Sequence, residues 1–280
     1  MNLSIIIVNW NTRQLLDNCL CSIYKETSDL VFEIFVVDNA SSDKSVEMVR
    51  EKYPKVKLIQ NHKNLGFSVA NNQAIRQAQG KYILILNSDT VILENALEKA
   101  VQIMEFQPEV GILGPKTLNE NLTAQKTIRS DPALITQLIL PTKMKKLFPQ
   151  WKALKNYYQD NFNYEQGSCV SQLQGSFLLI RREALNKTGF FDEKFFIWFE
   201  EVDLCLRMRK AGYKLLYSPD IKIIHYGGKS FSQINTLKKQ VIFSRSLLYY
   251  FWKNKPKWQW SLLYLSKLPV IILNKIIKFD

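Results

Sequence analysis

Cysteine and histidine are both scarce: Cys19, Cys21, Cys169 and Cys205 form no CxxC pair, and His62 and His225 are the only histidines. A zinc constellation and a disulfide framework are thereby excluded, and a reducing compartment fits better. Long apolar runs are missing as well. The opening run, Leu3 to Val8, has no basic leader and stops at Asn9, so it reads as a buried strand and not as a secretory signal. A late run, Leu268 to Leu273, contains Pro269 and lies between Lys267 and Lys275, far short of the roughly 20 apolar residues of a membrane span. No GxGxxG follows the first run, which excludes a dinucleotide-binding dehydrogenase. Acids are nearly absent from the last fifth of the chain, where Asp280 is the only one after Lys229.

What is present is a globular pattern. The 280 residues are 46% hydrophobic and 12% aromatic, enough to bury one large domain or one domain with an appendage. Apolar runs of strand length alternate with helical patterns: Leu3 to Val8, Arg13 to Tyr24, Phe32 to Val37, Ser42 to Tyr53, Val56 to Ile59, Phe67 to Ala78, Tyr82 to Leu86 and Glu94 to Phe106. This βαβα rhythm predicts a mostly parallel sheet with helices on both faces. It fails from about Lys116 to Ser171, where Pro132, Pro141 and Pro149, the basic cluster Lys143, Lys145 and Lys146, and the aromatics from Trp151 to Tyr164 predict an irregular insertion. Regular signals resume with a strand at Leu173 to Ile180, a short helix near Arg182 to Lys187, a helix from Glu200 to Ala211, and paired strands Tyr213 to Tyr217 and Ile221 to His225.

The net charge of +13 is concentrated late, with ten Lys or Arg against Asp280 from Lys229 onward. Tyr249, Tyr250, Phe251, Trp252, Trp258, Trp260, Tyr264 and Phe279 are interleaved with those cations. Such a mixture suits the headgroup layer of an anionic membrane. It equally describes a basic helix pair packed on its own domain, and both readings stay open. A nucleic-acid partner is rejected because no recognised motif accompanies the charge.

Ligands of open α/β sheets bind beyond the carboxyl ends of the strands. Three apolar runs end in unusually polar residues: Asn9, Trp10 and Asn11; Asp38, Asn39, Ala40, Ser41, Ser42 and Asp43; and Asn87, Ser88, Asp89 and Thr90. Each alone could be a helix cap or a turn. Their recurrence points to a site. Read in order, SIIIVNWNT, FVVDNASSDKSVEMV, NLGFSVANNQAI, GKYILILNSDT, FFDEKFFIWFEEVDLCLRMRKAGY and IIHYGG resemble glycosyltransferase family 2, particularly its rhamnosyltransferase-like members, over about residues 3 to 228.

That resemblance implies a GT-A fold, placed over residues 1–228; the irregular 116–171 is expected to carry acceptor choice, as loops on a fixed scaffold often do, and 229–280 to form a basic helical tail. It implies an inverting hexosyltransferase with a divalent cation, Mg²⁺ or Mn²⁺, at the donor diphosphate. By motif, Asp38 resembles the base-contacting residue of the nucleotide site, with Asn9, Asn11, Asn39 and Asp43 around the nucleoside and Gly66, Asn71 and Asn72 flanking it. The NSDT segment is similar to the family's DxD metal motif, with Asn87 in the first acidic position, Ser88 between and Asp89 as the remaining carboxylate. His225 resembles the late metal- or diphosphate-contacting histidine, and Gly227 and Gly228 after it allow close approach of a ligand.

Three acids compete for the role of catalytic base. Glu200 and Asp203 are expected on one helix face with Arg207 beyond them, while Glu201 shares a face with Leu204, Cys205 and Met208 and aligns best with the family's ED-like motif. Acids also favour a helix start for its dipole alone. Trp198 could stack on an acceptor sugar or belong to the core. The expected partners are a nucleotide-sugar donor, dTDP-rhamnose or a UDP-sugar, and a glycan or lipid-linked acceptor of cell-surface polysaccharide synthesis, on the cytoplasmic face of the membrane. Two rivals stand beside this reading. A sugar-nucleotide-forming nucleotidyltransferase lacks its Gly-rich phosphate loop here, and a noncatalytic nucleotide-sugar or glycan binder with a degraded metal site is motivated by Asn87.

Overall fold

A computed structural model describes residues 1–140, 150–228 and 235–277 of the chain. The basic cluster Lys143, Lys145 and Lys146 and the start of the tail at Lys229 lie outside the described residues. In chain order the elements are β1 (Leu3–Asn9), α1 (Arg13–Lys25), β2 (Phe32–Asp38), α2 (Ser45–Lys52), β3 (Lys57–Gln60), α3 (Phe67–Ile75), β4 (Tyr82–Asn87), β5 (Thr90–Ile92), α4 (Ala96–Phe106) and β6 (Val110–Leu118). There follow α5 (Leu134–Ile139), α6 (Lys152–Tyr158), β7 (Ser168–Cys169), β8 (Phe177–Arg181), α7 (Arg182–Thr188), α8 (Glu200–Lys210), β9 (Lys214–His225), α9 (Thr236–Asn254) and α10 (Lys257–Ile277).

One sheet runs β3-β2-β1-β4-β8-β6-β9-β5, with β7 added on β9. Its first half is parallel, as the alternating rhythm requires; β8 then enters antiparallel between β4 and β6, and β6 pairs β9 in parallel. The apolar runs of β1, β2 and β4 are continuous because both of their faces are covered. On one face α1, α2 and α4 supply Leu16, Leu20, Met48, Val49, Leu97 and Met104. On the other, α3, α7 and α8 supply Ala70, Ala74, Leu185, Leu204, Cys205 and Met208.

Three departures from the sequence pattern have physical causes. The strand β6 was hidden by Gly111, Gly114 and Pro115, which depress strand propensity. Those glycines are required by contact: a Cβ at Gly114 would stand 2.6 Å from Leu173 Cδ2, and one at Gly111 would stand 2.7 Å from Tyr213 Cβ. The paired strands expected around Pro219 are the single strand β9, whose register against β6 slips between Pro115 and Lys116. Finally, Leu173 to Ser176 are not strand; β8 begins at Phe177, and the residues before it face a cleft.

The tail is built into the body. Leu247, Leu248, Tyr250 and Phe251 of α9 and Leu263 of α10 share a core with Phe195, Phe199 and Val202. Lys253 bridges Asp192 at 2.7 Å and Asp203 at 3.0 Å, and Ser246 donates to the carbonyl of Ile197 at 2.7 Å. Among the described residues no helix is long and apolar enough to cross a membrane.

Candidate active site

Register carries the three polar strand ends to one edge: Asn9 lies beside Asp38, and Val8 beside Asn87. Behind that edge they are wired together. Asn9 Nδ2 donates to Asp38 Oδ1 and Ser41 Oγ at 3.1 Å each, Thr12 Oγ1 donates to Asn9 Oδ1 at 2.7 Å, and Thr12 and Ser88 hydroxyls meet at 2.9 Å. The second Asp38 oxygen accepts from Ser41 N at 2.9 Å. Asp38 is buried, with both carboxylate oxygens used inside the protein.

In front of this network lies a cleft lined by Trp10, Asn39, Gly66, Asn87, Ser88, Asp89, Trp198, Glu200, Glu201 and His225 among others. The structure therefore gathers residues from six sequence motifs separated by up to 220 positions in the chain, Val8 to Gly228. Gly66 sits at φ +84, and a Cβ there would collide at 2.4 Å with the carbonyl oxygen of Phe196, so the NLGF turn and the aromatic segment before α8 can meet only at a glycine.

Asp89 and His225 face each other across β5 and β9, with His225 Nε2 3.3 Å from Asp89 Oδ1. Both are nearly withdrawn from solvent. Asn87 Nδ2 lies 3.4 Å from the same ring nitrogen, and Gln125 holds the histidine from behind through Oε1 to Nδ1 at 3.4 Å and Nε2 to its carbonyl at 2.6 Å. Two donors at right angles on a hard divalent cation with bonds of about 2.1 Å stand about 3.0 Å apart. The Asp89–His225 spacing fits that requirement, with diphosphate oxygens and water left to complete the shell. No cluster of three or more His, Cys, Asp or Glu is found among the described residues.

The three acids separate by environment. Glu201 and Glu200 line the cleft, and each has an Oε2 out of reach of water with no hydrogen-bond partner. Burial pushes the Glu201 carboxyl up to about 6. It raises Glu200 well above the carboxylate range, with the neighbouring charge of Glu201 adding to it. Asp203 is fully buried elsewhere: Oδ2 takes Arg207 Nε at 2.8 Å and Lys253 Nζ at 3.0 Å, and Oδ1 takes Asn254 Nδ2 at 3.0 Å. The Asp203–Arg207 pair allowed by i, i+4 spacing is present, but the surface placement that the spacing suggested is corrected: the carboxylate is fully buried under the tail. Glu200 is the second correction. Its helical spacing put it with Asp203, yet it opens α8 from the cleft side, after Trp198 and Phe199 turn the chain at φ 65 and φ 70.

Other predicted residues do structural work in this arrangement. Asp43 ties two helix starts, accepting from Arg13 N at 2.7 Å and Ser45 N at 3.1 Å. Asn11 accepts from Ser42 N at 2.7 Å. Asn71 donates to the Phe67 carbonyl at 2.8 Å, and Asn72 locks α3 to the segment before α8 through Phe191 and Glu193. None of these four lines the cleft. Sequence reasoning missed Asn64, Gln174, Gly175, Ser176, Phe196 and Ile197, which do. Asn64, Phe196 and Ile197 fall inside the quoted motifs, which was their signal; Gly175 packs beside the Glu201 side chain, which a Cβ there would touch at 3.7 Å, an ordinary van der Waals contact.

A half-parallel sheet with helices on both faces and a polar carboxyl edge is the GT-A fold, and here Asp89 and His225 share its cleft with Glu200 and Glu201. Residues 4–189 match the family described as Glycosyl transferase family 2, and the chain belongs to it, as an inverting glycosyltransferase. Among curated relatives, the N-acetylglucosaminyl-diphospho-decaprenol L-rhamnosyltransferase of Mycobacterium tuberculosis is 26% identical over 239 residues, covering 81% of this chain and 77% of that protein. Rhamnosyltransferase WbbL of Escherichia coli is 28% identical over 180 residues, 58% of this chain and 61% of that one. Of the solved structures, the mannosyltransferase PcManGT from Pyrobaculum calidifontis, in complex with GDP-Man and Mn²⁺, matches at TM-score 0.61 and 17% identity, covering 96% of this chain and 69% of that chain. S. aureus TarS 1-349 in complex with UDP-GlcNAc matches at TM-score 0.57 and 16% identity, covering 94% and 70%.

Proposed function

We propose that the chain transfers a sugar, rhamnose from dTDP-rhamnose or another hexose from a UDP-sugar, to a hydroxyl of a glycan or lipid-linked acceptor in cell-surface polysaccharide synthesis. The observation that carries this reading is the cleft in which an unpartnered Glu201 oxygen shares one cavity with the Asp89–His225 pair. An acceptor hydroxyl becomes a useful nucleophile only as its proton is removed, and a carboxylate whose affinity for protons lies near the working pH is suited to remove it. Glu201, at about 6, meets that condition. Burial and the neighbouring charge of Glu201 raise Glu200 well above its ordinary value, which disfavours a second ionised carboxylate beside Glu201. A divalent cation bound by Asp89 and His225 would supply Lewis-acid stabilisation of the departing diphosphate. Asp38 and Asn9 hold the nucleotide end of the cleft in shape, and the backbone at Asn39 and Gly66 lines it.

The test is a panel of nucleotide sugars with Mn²⁺ or Mg²⁺, scored by released nucleoside diphosphate. Release from one donor, dTDP-rhamnose first, is the expected result; tight donor binding with no release would favour the noncatalytic binder. Asp89→Ala should lower kcat at least about 10²-fold, the scale of losing one group that stabilises developing charge, with the fold intact by circular dichroism. Turnover within a factor of a few of the parent would remove Asp89 from the cation site.

The enzyme is further proposed to work as a peripheral protein on the inner face of the membrane. Trp258, Leu262 and Leu265 of α10 are exposed at 60%, 48% and 60% and follow helical spacing i, i+4, i+7, and Lys257, at the start of the same helix, lies over the exposed Trp252 ring at 4.2 Å. Replacing the three by serine should reduce sedimentation with anionic vesicles at least about tenfold, since each buried apolar side chain contributes about 1.5 to 3 kcal/mol. Unchanged sedimentation would send the stripe back to a role in protein packing.

A further inference from the structure

A second cleft adjoins the first at Glu201. It is walled by Lys126, Arg129, Tyr157, Trp198 and Phe243, and it shares Gln174, Trp198 and Glu201 with the first. At that junction two side-chain oxygens, Gln174 Oε1 and Glu201 Oε2, are buried without partners. A buried acceptor atom left unmatched costs stability unless something completes it. The second cleft includes Glu201 but neither Asp89 nor His225, so a hydroxyl group lying in it would meet the carboxylate without displacing that pair.

We infer that the second cleft is the acceptor subsite and that Lys126 and Arg129 bind a phosphate ester carried by the acceptor next to its reacting sugar. This rests on the glycosyltransferase reading above. Apart from Glu201 the cleft's lining contains no acid, and neither cation takes part in an ion pair among the described residues. Arg129 is held in place: its backbone bridges Gln172, one guanidinium nitrogen donates to the Ile128 carbonyl at 2.7 Å, and the group lies 4.7 Å over the Tyr158 ring. That leaves guanidinium donors for a ligand. Tyr157, Trp198 and the exposed Phe243 provide faces for a sugar ring, with Trp198 and Phe243 packed edge to face at 5.8 Å. Because Asp89 and His225 belong only to the first cleft, a phosphate here is distinct from the donor's own diphosphate. Two cations and three rings around one base fit an acceptor that is both sugar and anion, such as a sugar linked to lipid through phosphate or a phosphorylated glycan.

Calorimetry on the full chain, with the donor cleft saturated by nucleoside diphosphate and Mg²⁺, tests this with three probes: farnesyl-diphospho-N-acetylglucosamine, soluble N-acetylglucosamine 1-phosphate and farnesyl N-acetylglucosaminide, which has no phosphate. Both charged probes should bind at least about tenfold more tightly than the neutral one, the scale of one or two hydrogen bonds to charged groups. In the Lys126→Ala, Arg129→Ala double variant that gap should shrink to about threefold or less. Farnesyl-diphospho-N-acetylglucosamine that outperforms the soluble sugar phosphate identifies a lipid carrier; equal binding of the two identifies phosphate on a glycan. Equal binding of all three probes to the parent, or a gap that survives in the double variant, overturns the inference. Calorimetry needs no turnover, so a chain that releases no nucleotide in the donor panel sinks the catalytic reading, whereas three equal affinities in an active chain sink this one.

Discussion

Glu201→Gln should lower kcat by roughly 10² to 10⁴ and at the same time raise the melting temperature at pH 8. The substitution keeps shape and hydrogen bonding, so donor affinity stays close to that of the parent, while the ability to take a proton is gone. The stability effect follows from linkage. Burial raises the Glu201 carboxyl from 4.5 to about 6, so between those values the folded protein holds a proton that the unfolded chain has released. Glu201 therefore costs nothing below pH 4.5 and destabilises the fold as pH rises through about 6. That shift corresponds to about 2 kcal/mol, with 1.36 kcal/mol per pH unit. The glutamine variant recovers this at pH 8 and shows no gain at pH 4.5. In the parent, kcat/KM should fall as pH drops below about 6, because the base is then protonated. A Glu201→Gln enzyme that turns over within about tenfold of the parent, or an acid limb that persists unchanged in it, would move the base elsewhere.

The parts legible in the sequence were those fixed by local chemistry. Buried strands β1, β2 and β4 announce themselves because both faces are apolar, and their Asx-rich ends are conspicuous against those runs. Register does the rest, since parallel pairing of neighbouring strands puts their carboxyl ends side by side. Glu200 was not legible because helical spacing assumes a helix with one wet face. The tail covers the outer face of α8, so Asp203 is as buried as Glu200, and no periodicity within residues 200–210 can report on a cover supplied by residues 235–277. The second cleft was hidden for the same reason. Its wall joins the loop around Lys126, Tyr157 of α6, Gln174 before β8 and Phe243 of α9, four segments whose meeting is purely tertiary.

The second large effect is on stability and falls at Asp203. Asp203→Ala should lower stability by about 3 kcal/mol, toward the low end of what removing one partner of a buried ion pair costs, because Arg207 and Lys253 keep 21% and 28% of their side-chain surface exposed. With the carboxylate gone, two cations are left beside each other. Arg207 cannot swing away freely, since its other nitrogens donate to the carbonyls of Thr188, Gly189 and Phe190 at 2.7 to 2.8 Å. Lys253 and Asn254 lose their hold on α8, and the strain falls on the shared core of Phe195, Phe199, Tyr250 and Phe251. At about 2 to 4 °C per kcal/mol for a chain of this size, the melting temperature should drop by roughly 6 to 12 °C. Asp203→Asn, which keeps two acceptor lone pairs, should lose less. Well below the melting range both variants should keep kcat within about threefold of the parent, since Asp203 touches neither cleft and acts only on the folded population. Thermal melts paired with initial rates at low temperature decide it. Loss of turnover at an unchanged melting temperature would put Asp203 in the chemistry, and the division of labour drawn here between two cleft-facing glutamates and one clamping aspartate would fail.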